Sequence, residues 1–335
     1  ELMYRPGPLN LITDVPGIMV GHATDQRVMT GVTTVLCQGD WTGAVDVRGG
    51  GPGSRETEAL APENFVDVIH GVVLTGGSVF GLAAADGVTT ALSHLNIGLR
   101  LKPTTPAIPI VPAAVLHDLG NEGNKDWGLN PPYEALGRAS VAAASTTFDM
   151  GAVGAGRGAM AGLAKGGIGS TSLDLGDGLM VGALVATNPV GSVFMPDGQT
   201  YWAWPFEIEK EFGGHRPSAS EPVTDPLPEL GRLRAAGRLT PGANTTLAVV
   251  AVSARLTKAE AKRLAMMAQD GLARAIRPVH APFDGDTVFA LSGGTADIGE
   301  GHERLLQLTR IGSAAADCLA RAIARSVYCA NSDRI

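Results

Sequence analysis

The sequence predicts an α/β protein, and three stretches carry that prediction. Residues 247–252 are a continuous run of β-branched and small apolar residues, the pattern of a strand that is buried on both faces. Residues 71–74 predict a second apolar strand, which the turn at 75–78 (Thr-Gly-Gly-Ser) leads into a helix. Residues 257–260 (Thr-Lys-Ala-Glu) are a capping box at the start of an amphipathic helix. Strands that alternate with helices are typical of a layered α/β fold.

In the first half of the chain, periodicity and glycine breaks define the elements. Residues 18–21 and 31–37 predict strands, and 44–47 is the expected partner of 31–37. The stretch 49–53 contains four glycines and interrupts the backbone. The apolar face expected of the helix after residue 78 consists of Phe80, Ala83, Ala84, Val88 and Leu92.

The middle of the chain combines a helix, a buried strand and a polar connection. Residues 133–145 are Ala-rich and predict a helix. Residues 179–186 predict a buried strand, and the turn at 188–191 (Asn-Pro-Val-Gly) before residues 192–195 predicts a hairpin. Residues 213–241 are polar and interrupted by Pro and Gly, so they predict a long exposed connection, which compact domains seldom have without a purpose.

The last part of the chain predicts two helices around a strand. The helix that begins at the capping box should end before Pro278, because Pro cannot continue a helix. Residues 286–291 predict a strand, residues 303–328 a long apolar helix and residues 331–335 a polar tail. No internal repeat is visible, so we expect a single domain over residues 1–335.

Composition and charge argue against several classes of protein. Of the 335 residues, 44% are hydrophobic and 18% are charged, as expected of a globular protein with a large core. The formal net charge is −7 without any basic cluster, so nucleic-acid binding is not expected. No apolar run approaches the ~18 residues of a membrane span. The N-terminus lacks the pattern of a signal peptide.

Cysteines, histidines and glycine turns give no sign of a metal or cofactor. Cys37, Cys318 and Cys329 have no paired spacing, which predicts buried thiols and suits a cytoplasmic protein. The seven histidines are scattered without zinc spacing. The glycine turns at 75–78 and 154–158 lack the spacing of a nucleotide-binding loop. We therefore expect neither a metal nor a cofactor.

Thr245 stands where the polar connection meets the strand at 247–252, directly after the carbonyl group of Asn244. Its hydroxyl group can attack that carbonyl through a five-membered ring and move the acyl group from nitrogen to oxygen. Hydrolysis of the ester then frees an N-terminal Thr, whose α-amine titrates near ~8 and can accept the proton of its own hydroxyl. On residue types alone, an ordinary turn before a strand is the favoured explanation of Asn-Thr-Thr.

Motifs in one consistent order along nearly the whole chain add a family resemblance. Their positions are 14–17, 31–34, 47–50, 74–78, 165–170, 188–191, 242–250, 256–258, 266–268, 271–276 and 284–287. Among them are Lys-Gly-Gly-Ile-Gly-Ser, Gly-Ala-Asn-Thr-Thr-Leu-Ala-Val-Val and Asp-Gly-Asp-Thr. With these motifs the chain resembles the L-aminopeptidase/D-esterase (DmpA-like) family of self-cleaving peptidases, which includes β-aminopeptidases and nylon-oligomer hydrolases.

The resemblance implies a four-layer αββα sandwich of the N-terminal-nucleophile type. It also implies autocleavage between Asn244 and Thr245, which would leave fragments 1–244 and 245–335 associated through the core strand at 247–252. A homo-oligomer, specifically a tetramer, is the assembly that it implies.

The same resemblance assigns roles to residues that would otherwise have ordinary explanations. Thr245 is the expected nucleophile, and Asn188 the expected donor to a developing oxyanion, although turn chemistry before Pro189 would also explain an Asn there. Lys165 is expected to hold the hydroxyl group or to lower the pKa of the new amine. Without the resemblance, a solvated loop lysine would explain Lys165.

The remaining expected site residues are an acid pair and two substrate contacts. Asp284 and Asp286 are expected to orient the amine and to hold Lys165 or the substrate ammonium, with an Asx-turn as the alternative. β-Aminopeptidases have Ser and Glu at these two positions, so the double Asp points to the Thr-type members. His117 and Thr246 are expected to contact substrate. His117 departs from the family, which often has Tyr there.

The predicted function is therefore a self-processing amide hydrolase. It would act as an aminopeptidase, amidase or esterase on short peptides or amino-acid amides through an acyl-enzyme. Two alternatives remain open at this stage: endo-hydrolysis of ω-amino-acid (nylon-type) oligomers, and a non-catalytic small-molecule binding protein of the same fold.

Overall fold

The computed structural model describes residues 4–218, 225–227 and 244–332. Most of the connection expected at 213–241, and residues 333–335 of the expected polar tail, lie outside these ranges. The same holds for the first three residues and for Gly242 and Ala243.

The described residues form strands and helices in the alternating order that the sequence predicts. The strands are β1 (Ile18–Asp25), β2 (Thr30–Val47), β3 (Ser54–Arg55), β4 (Ile69–Thr75), β5 (Ala113–Val115), β6 (Met160–Ala161), β7 (Ala164–Lys165), β8 (Gly167–Asp174), β9 (Met180–Asn188), β10 (Thr245–Ala254) and β11 (Thr287–Ala296). The α-helices are α1 (Ala84–His94), α2 (Tyr133–Ala142), α3 (Lys258–Ala275) and α4 (Gly301–Asn331). Short 3-10 helices are Ile12–Asp14, Glu58–Leu60, Ser78–Ala83, Gly154–Gly156 and Trp204–Phe206.

The 18-residue strand β2 belongs to two sheets. Its first half pairs with β1 and β4, and its second half pairs with β11. Sheet I therefore has the order β8-β9-β10-β11-β2, and sheet II contains β1, β2, β4, β5 and β3. The expected pairing of residues 31–37 with 44–47 is wrong, because both segments lie in this one strand. Between them the exposed Gly39, at φ +87°, and a shift in the register with β4 bend the chain without reversing it.

Three apolar cores separate four layers. Helices α3 and α4 pack on sheet I through residues such as Leu264 and Leu319. The two sheets face each other across a second core. Helices α1 and α2 cover sheet II through residues such as Val88 and Val141. The αββα order implied by the family resemblance is thereby confirmed.

Strand β10 lies in the middle of sheet I, antiparallel to β9 and parallel to β11. Leu247, Val249 and Ala251 face sheet II. Ala248, Val250 and Val252 face the helices. Both faces of the strand are covered, which is why the sequence shows a continuous apolar run without alternation.

The hairpin expected between 179–186 and 192–195 is wrong. Strand β9 pairs instead with β8, which lies in a stretch where the abundance of glycine hid the strand pattern. After β9 the chain turns away, and Ser192 bridges Arg277. A Cβ atom at Gly191 would lie 2.0 Å from the carbonyl oxygen of Pro278, so only glycine permits this approach.

The helices follow the predicted pattern with shifted boundaries. The capping box of α3 is confirmed, because Thr257 Oγ1 accepts the Glu260 N–H and Glu260 accepts the Thr257 N–H. Helix α1 buries Val88 as predicted, but Phe80 is 44% exposed. The reason is that residues 78–83 wind as a 3-10 helix, whose shorter turn moves Phe80 off the apolar face. Helix α4 extends to Asn331, the first residue of the expected tail.

No helix within the described residues combines the length and the apolar character that crossing a membrane requires.

Candidate active site

The N-terminal end of β10 places Thr245 at the edge of the interface between the two sheets. Thr245 is the first residue of β10 and pairs with Asn188, the last residue of β9. Both side chains face sheet II, because the residues two positions further into each strand, Leu247 and Ala186, do so. His117 follows β5 of sheet II, and its carbonyl oxygen accepts a hydrogen bond from Asn188 Nδ2 at 3.3 Å. Both sheets thus contribute to one site.

The hydroxyl group of Thr245 lies against the carbonyl group of Asn244. It donates to the Asn244 carbonyl oxygen at 2.5 Å, and the Gly285 N–H donates to the same oxygen at 3.0 Å. Two donors therefore polarise the carbonyl group that Thr245 Oγ1 would attack in the proposed acyl shift. Thr245 is only 2% exposed. A Cβ atom at Gly285 would lie 2.6 Å from Thr245 Oγ1, so the hydroxyl group fits only because Gly285 has no side chain.

Asp284 and Asp286 flank Gly285 with buried carboxyl groups that accept backbone N–H groups. Asp286 Oδ1 accepts the Thr246 N–H at 2.9 Å. Asp284 accepts the N–H groups of Val190 at 3.2 Å and of Ala281 at 2.9 Å. Burial, and then the nearby charge of Asp286, raise the pKa of Asp284 to about 7. Near neutral pH, Asp284 is thus able to exchange a proton.

The glycine stretch after β2 holds this acid turn in place. The Gly49 N–H donates to the Asp286 carbonyl oxygen at 3.3 Å, and the Gly51 N–H donates to the Asp284 carbonyl oxygen at 2.8 Å. A Cβ atom at Gly49 would lie 2.3 Å from the Asp284 carbonyl oxygen. The stretch therefore does more than break the backbone, since its close approach positions both acids.

Asn188 is fully buried and fixed at both ends of its amide group. Its Oδ1 accepts the Met160 N–H at 3.0 Å, while its Nδ2 donates to His117. The amide nitrogen therefore lies on the same face of sheet I as the Thr245 side chain, as an oxyanion donor would require.

Lys165 occupies a different environment from the other candidates. It lies in the hairpin β6–β7, pairs with Met160, and has an exposed side chain. Its backbone N–H and carbonyl groups are bound by the side chain of Asn331. Within the described ranges, no hydrogen bond or ion pair joins its ammonium group to Thr245 or to the acid pair. The structure brings the backbone of Lys165 close to Asn188 through Met160 and leaves its ammonium group outside the cluster.

His117 and Thr246, the expected substrate contacts, are placed differently. His117 is half-buried, and its Nδ1 accepts the Leu119 N–H at 3.2 Å. The neighbouring Asp118 is fully buried and binds the Gly77 N–H at 2.8 Å, so the 75–78 turn serves to anchor this segment. Thr246 is fully buried with its side chain toward the helices, away from Thr245. Its hydroxyl group has no hydrogen-bond partner in the structure described.

His280 is a site residue that the sequence analysis missed. Its Nδ1 lies 2.9 Å from Asp286 Oδ2, which also accepts the His280 backbone N–H at 3.0 Å. The only feature of the sequence that could have indicated this contact is the position of His280 six residues before Asp286. The structure shows that the segment between them folds back on the acid pair. No motif marks that spacing.

A cavity of about 600 Å³ lies on the helix side of sheet I, between the hairpin β6–β7 and the end of α4. Its walls include Phe194, Tyr201, Phe212 and Tyr328. Because Thr245 points to the opposite face of the sheet, this cavity is separate from the candidate site. Among the described residues, no group of three or more His, Cys, Asp or Glu side chains is arranged to hold a metal ion.

Comparison with known proteins places this fold in a class. The structure superposes on the L-aminopeptidase D-Ala-esterase/amidase of Ochrobactrum anthropi, described as a prototype of the serine aminopeptidases and a variant of the Ntn-hydrolase fold. The TM-score is 0.65 at 20% identity, covering 97% of this chain and 88% of that one. The fold is thus that of the Ntn hydrolases. The chain belongs to peptidase family S58, whose model matches residues 10–334.

Two relatives illustrate the range of this family. The chain is 41% identical to an uncharacterized aminopeptidase of Mycobacterium leprae, over 99% of this chain and 93% of the relative. It is 28% identical to a 6-aminohexanoate-oligomer endohydrolase of a Kocuria species, over 85% of this chain and 75% of the relative. The family resemblance and the prediction of an enzyme that hydrolyses peptide or amide bonds are both confirmed.

Proposed function

We propose that the protein is a self-processing aminopeptidase and amidase whose nucleophile is Thr245. The observation that carries the proposal is the 2.5 Å hydrogen bond that Thr245 Oγ1 donates to the Asn244 carbonyl oxygen. The same oxygen also accepts the Gly285 N–H. The nucleophilic atom and the carbonyl group are adjacent, buried and supplied with a donor for the developing negative charge.

Self-cleavage would proceed through an ester. Thr245 Oγ1 attacks the Asn244 carbonyl carbon, its proton passes to the departing nitrogen, and the C–N bond breaks. Water then hydrolyses the ester, which leaves a carboxylate on Asn244 and a free amine on Thr245. The fragments 1–244 and 245–335 would stay together, because β10 pairs with β9 of the first fragment and with β11 of the second.

The processed site would repeat this chemistry on a substrate. The Thr245 amine accepts the hydroxyl proton as Oγ1 attacks the substrate carbonyl carbon, and the departing amine takes up a proton. Water then hydrolyses the acyl-enzyme ester. We assign Asn188 as the oxyanion donor and the acid pair, Asp284 and Asp286, as the groups that orient the new amine. His117 is kept as a proposed substrate contact. Lys165 is kept as the proposed catalytic lysine, which would act on the Thr245 hydroxyl group or on the new amine.

The family supports a substrate with a free amino end. Relatives are named as aminopeptidases, so short peptides and amino-acid amides or esters are our first choice. Oligomers of an ω-amino acid are the second choice, because a relative with that named activity aligns over 85% of this chain. A homo-oligomer, with a tetramer as the expected size, and a cytoplasmic location complete the proposal. Light scattering tests the oligomeric state.

Mass spectrometry of the purified protein tests the central claim. Two pieces that together account for the full chain, the smaller beginning with Thr245, would support it. A single intact chain that hydrolyses aminoacyl-nitroanilides would show that a different nucleophile operates. An intact chain without activity would favour the binding-protein alternative. A panel of L-, D-, β- and ω-aminoacyl amides then separates the two substrate choices.

A further inference from the structure

His280 holds the carboxylate that anchors the residue after the proposed nucleophile. Its backbone N–H and its ring Nδ1 both contact Asp286 Oδ2, at 3.0 and 2.9 Å. The other oxygen, Oδ1, accepts the Thr246 N–H at 2.9 Å. Asp286 is 1% exposed, and the His280 side chain is 20% exposed. The ring therefore lies at the outer side of a chain of contacts that ends one residue from Thr245.

The backbone at His280 has an unfavourable conformation that brings about these contacts. Its φ is +54°, in the left-handed region that residues with a Cβ atom seldom adopt. The turn is held by Gly50, whose N–H donates to the Ala281 carbonyl oxygen at 3.2 Å, and by the bond from the Ala281 N–H to Asp284. Strained residues of this kind concentrate at functional sites, where surrounding contacts maintain them. Here the strain places the backbone N–H and the ring of one residue on the same carboxylate oxygen.

Asp286 Oδ2 already accepts the His280 backbone N–H, so we assign the same acceptor role to this oxygen in the ring contact, with the proton on Nδ1. We propose that His280 is a positioning residue of the Thr245 site. By donating Nδ1–H to Asp286 it keeps Oδ1 on the Thr246 N–H, and so holds the Thr245 backbone in the geometry that self-cleavage and hydrolysis both need. This inference rests on the proposed role of Thr245.

Two substitutions separate the ring contact from the backbone strain. Both His280→Asn and His280→Gly suit a positive φ, because Asn and Gly enter the left-handed region readily. Only Asn offers a side-chain N–H where Nδ1 now lies. We expect His280→Asn to self-cleave and to hydrolyse within about threefold of the wild type. His280→Gly should lose about ten- to a hundredfold in the self-cleavage rate and in kcat, with little change in KM, as for the loss of a hydrogen bond to a charged group.

A second measurement does not depend on activity. In the uncut Thr245→Ala chain, hydrogen exchange at the Thr246 amide should be faster when His280→Gly is added, and unchanged when His280→Asn is added. Two results would overturn the positioning role. One is that His280→Gly keeps the wild-type self-cleavage rate, kcat and amide exchange. The other is that His280→Asn and His280→Gly lose equally in these quantities. A wild type that neither cuts nor hydrolyses, together with the expected difference in exchange, would refute the function proposed for Thr245 while the positioning by His280 stands.

Discussion

Asp284→Asn should make the free energy of unfolding less dependent on pH. The pKa of Asp284 is raised from 3.8 to about 7 by burial and by the charge of Asp286. The folded protein therefore keeps a proton that the unfolded chain has already released, so the free energy of unfolding falls as the pH rises from about 4 to 7. At ~1.36 kcal/mol per pH unit, the shift of about three units corresponds to about 4 kcal/mol lost above pH 7.

The assay compares single uncut chains that carry Thr245→Ala. Asn cannot ionise, and its one amide oxygen still accepts a backbone N–H, as a protonated acid does. We therefore expect Asp284→Asn to lie within about 1 kcal/mol of its parent at pH 5. At pH 8.5 it should be more stable by about 2 to 4 kcal/mol. Urea unfolding midpoints at both pH values measure the difference, provided that the m-values agree.

The exposed Asp177 offers a matched control, since Asp177→Asn makes the same chemical change outside the site. The change that Asp177→Asn shows between the two pH values is the reference with which the change in Asp284→Asn is compared. If the stability difference caused by Asp284→Asn is the same at pH 5 and pH 8.5, or is larger at pH 5, the argument from burial and like charge is refuted.

Substitutions at three positions, Thr245, Gly285 and Asn188, test the chemistry directly. Thr245→Ala should abolish both self-cleavage and hydrolysis, while Thr245→Ser should retain them because it keeps the hydroxyl group; a cut Ala variant on a denaturing gel would contradict the assignment. Gly285→Ala should slow self-cleavage, because the new Cβ atom would lie 2.6 Å from Thr245 Oγ1. We expect the rate in a time course to fall by about tenfold or more, as when reacting groups are misplaced. Gly120→Ala, which meets nothing within 4 Å, is its control, and equal rates for the two would contradict the steric argument. Asn188→Ala should lower kcat by about 10² to 10³ if its amide stabilises the oxyanion; steady-state kinetics that show an effect on KM alone would point to substrate binding instead.

The location of the site explains how a cut chain could remain one protein. Asn244 and Thr245 lie between β9 and the acid turn, and Asn244 itself bridges Asp284. The groups around the proposed cut therefore come from both fragments, and a cut at that bond removes no strand pairing from β10. The buried core on both faces of β10 would oppose separation of the fragments.

Several features could be predicted from the sequence because they depend on neighbours along the chain. The apolar run at 247–252 predicted a doubly covered strand, and Thr257 with Glu260 predicted the start of α3. The position of Thr245 at the junction of a polar segment and a core strand made it a candidate nucleophile, and the family motifs favoured that role over an ordinary turn. The family motifs supplied the layer order, which local patterns alone would not have given.

Tertiary structure decided whatever depends on residues that are distant in sequence. The bend at Gly39 allows one strand to join two sheets, and the approach of Gly191 to Pro278 turns the chain away from the expected hairpin. Lys165 matches the family motif, yet its side chain is exposed. His280 carries no motif, yet it binds Asp286. Local sequence determines which conformations a segment favours, whereas the burial of apolar surface and the pairing of buried polar groups between distant segments determine which side chains meet at Thr245.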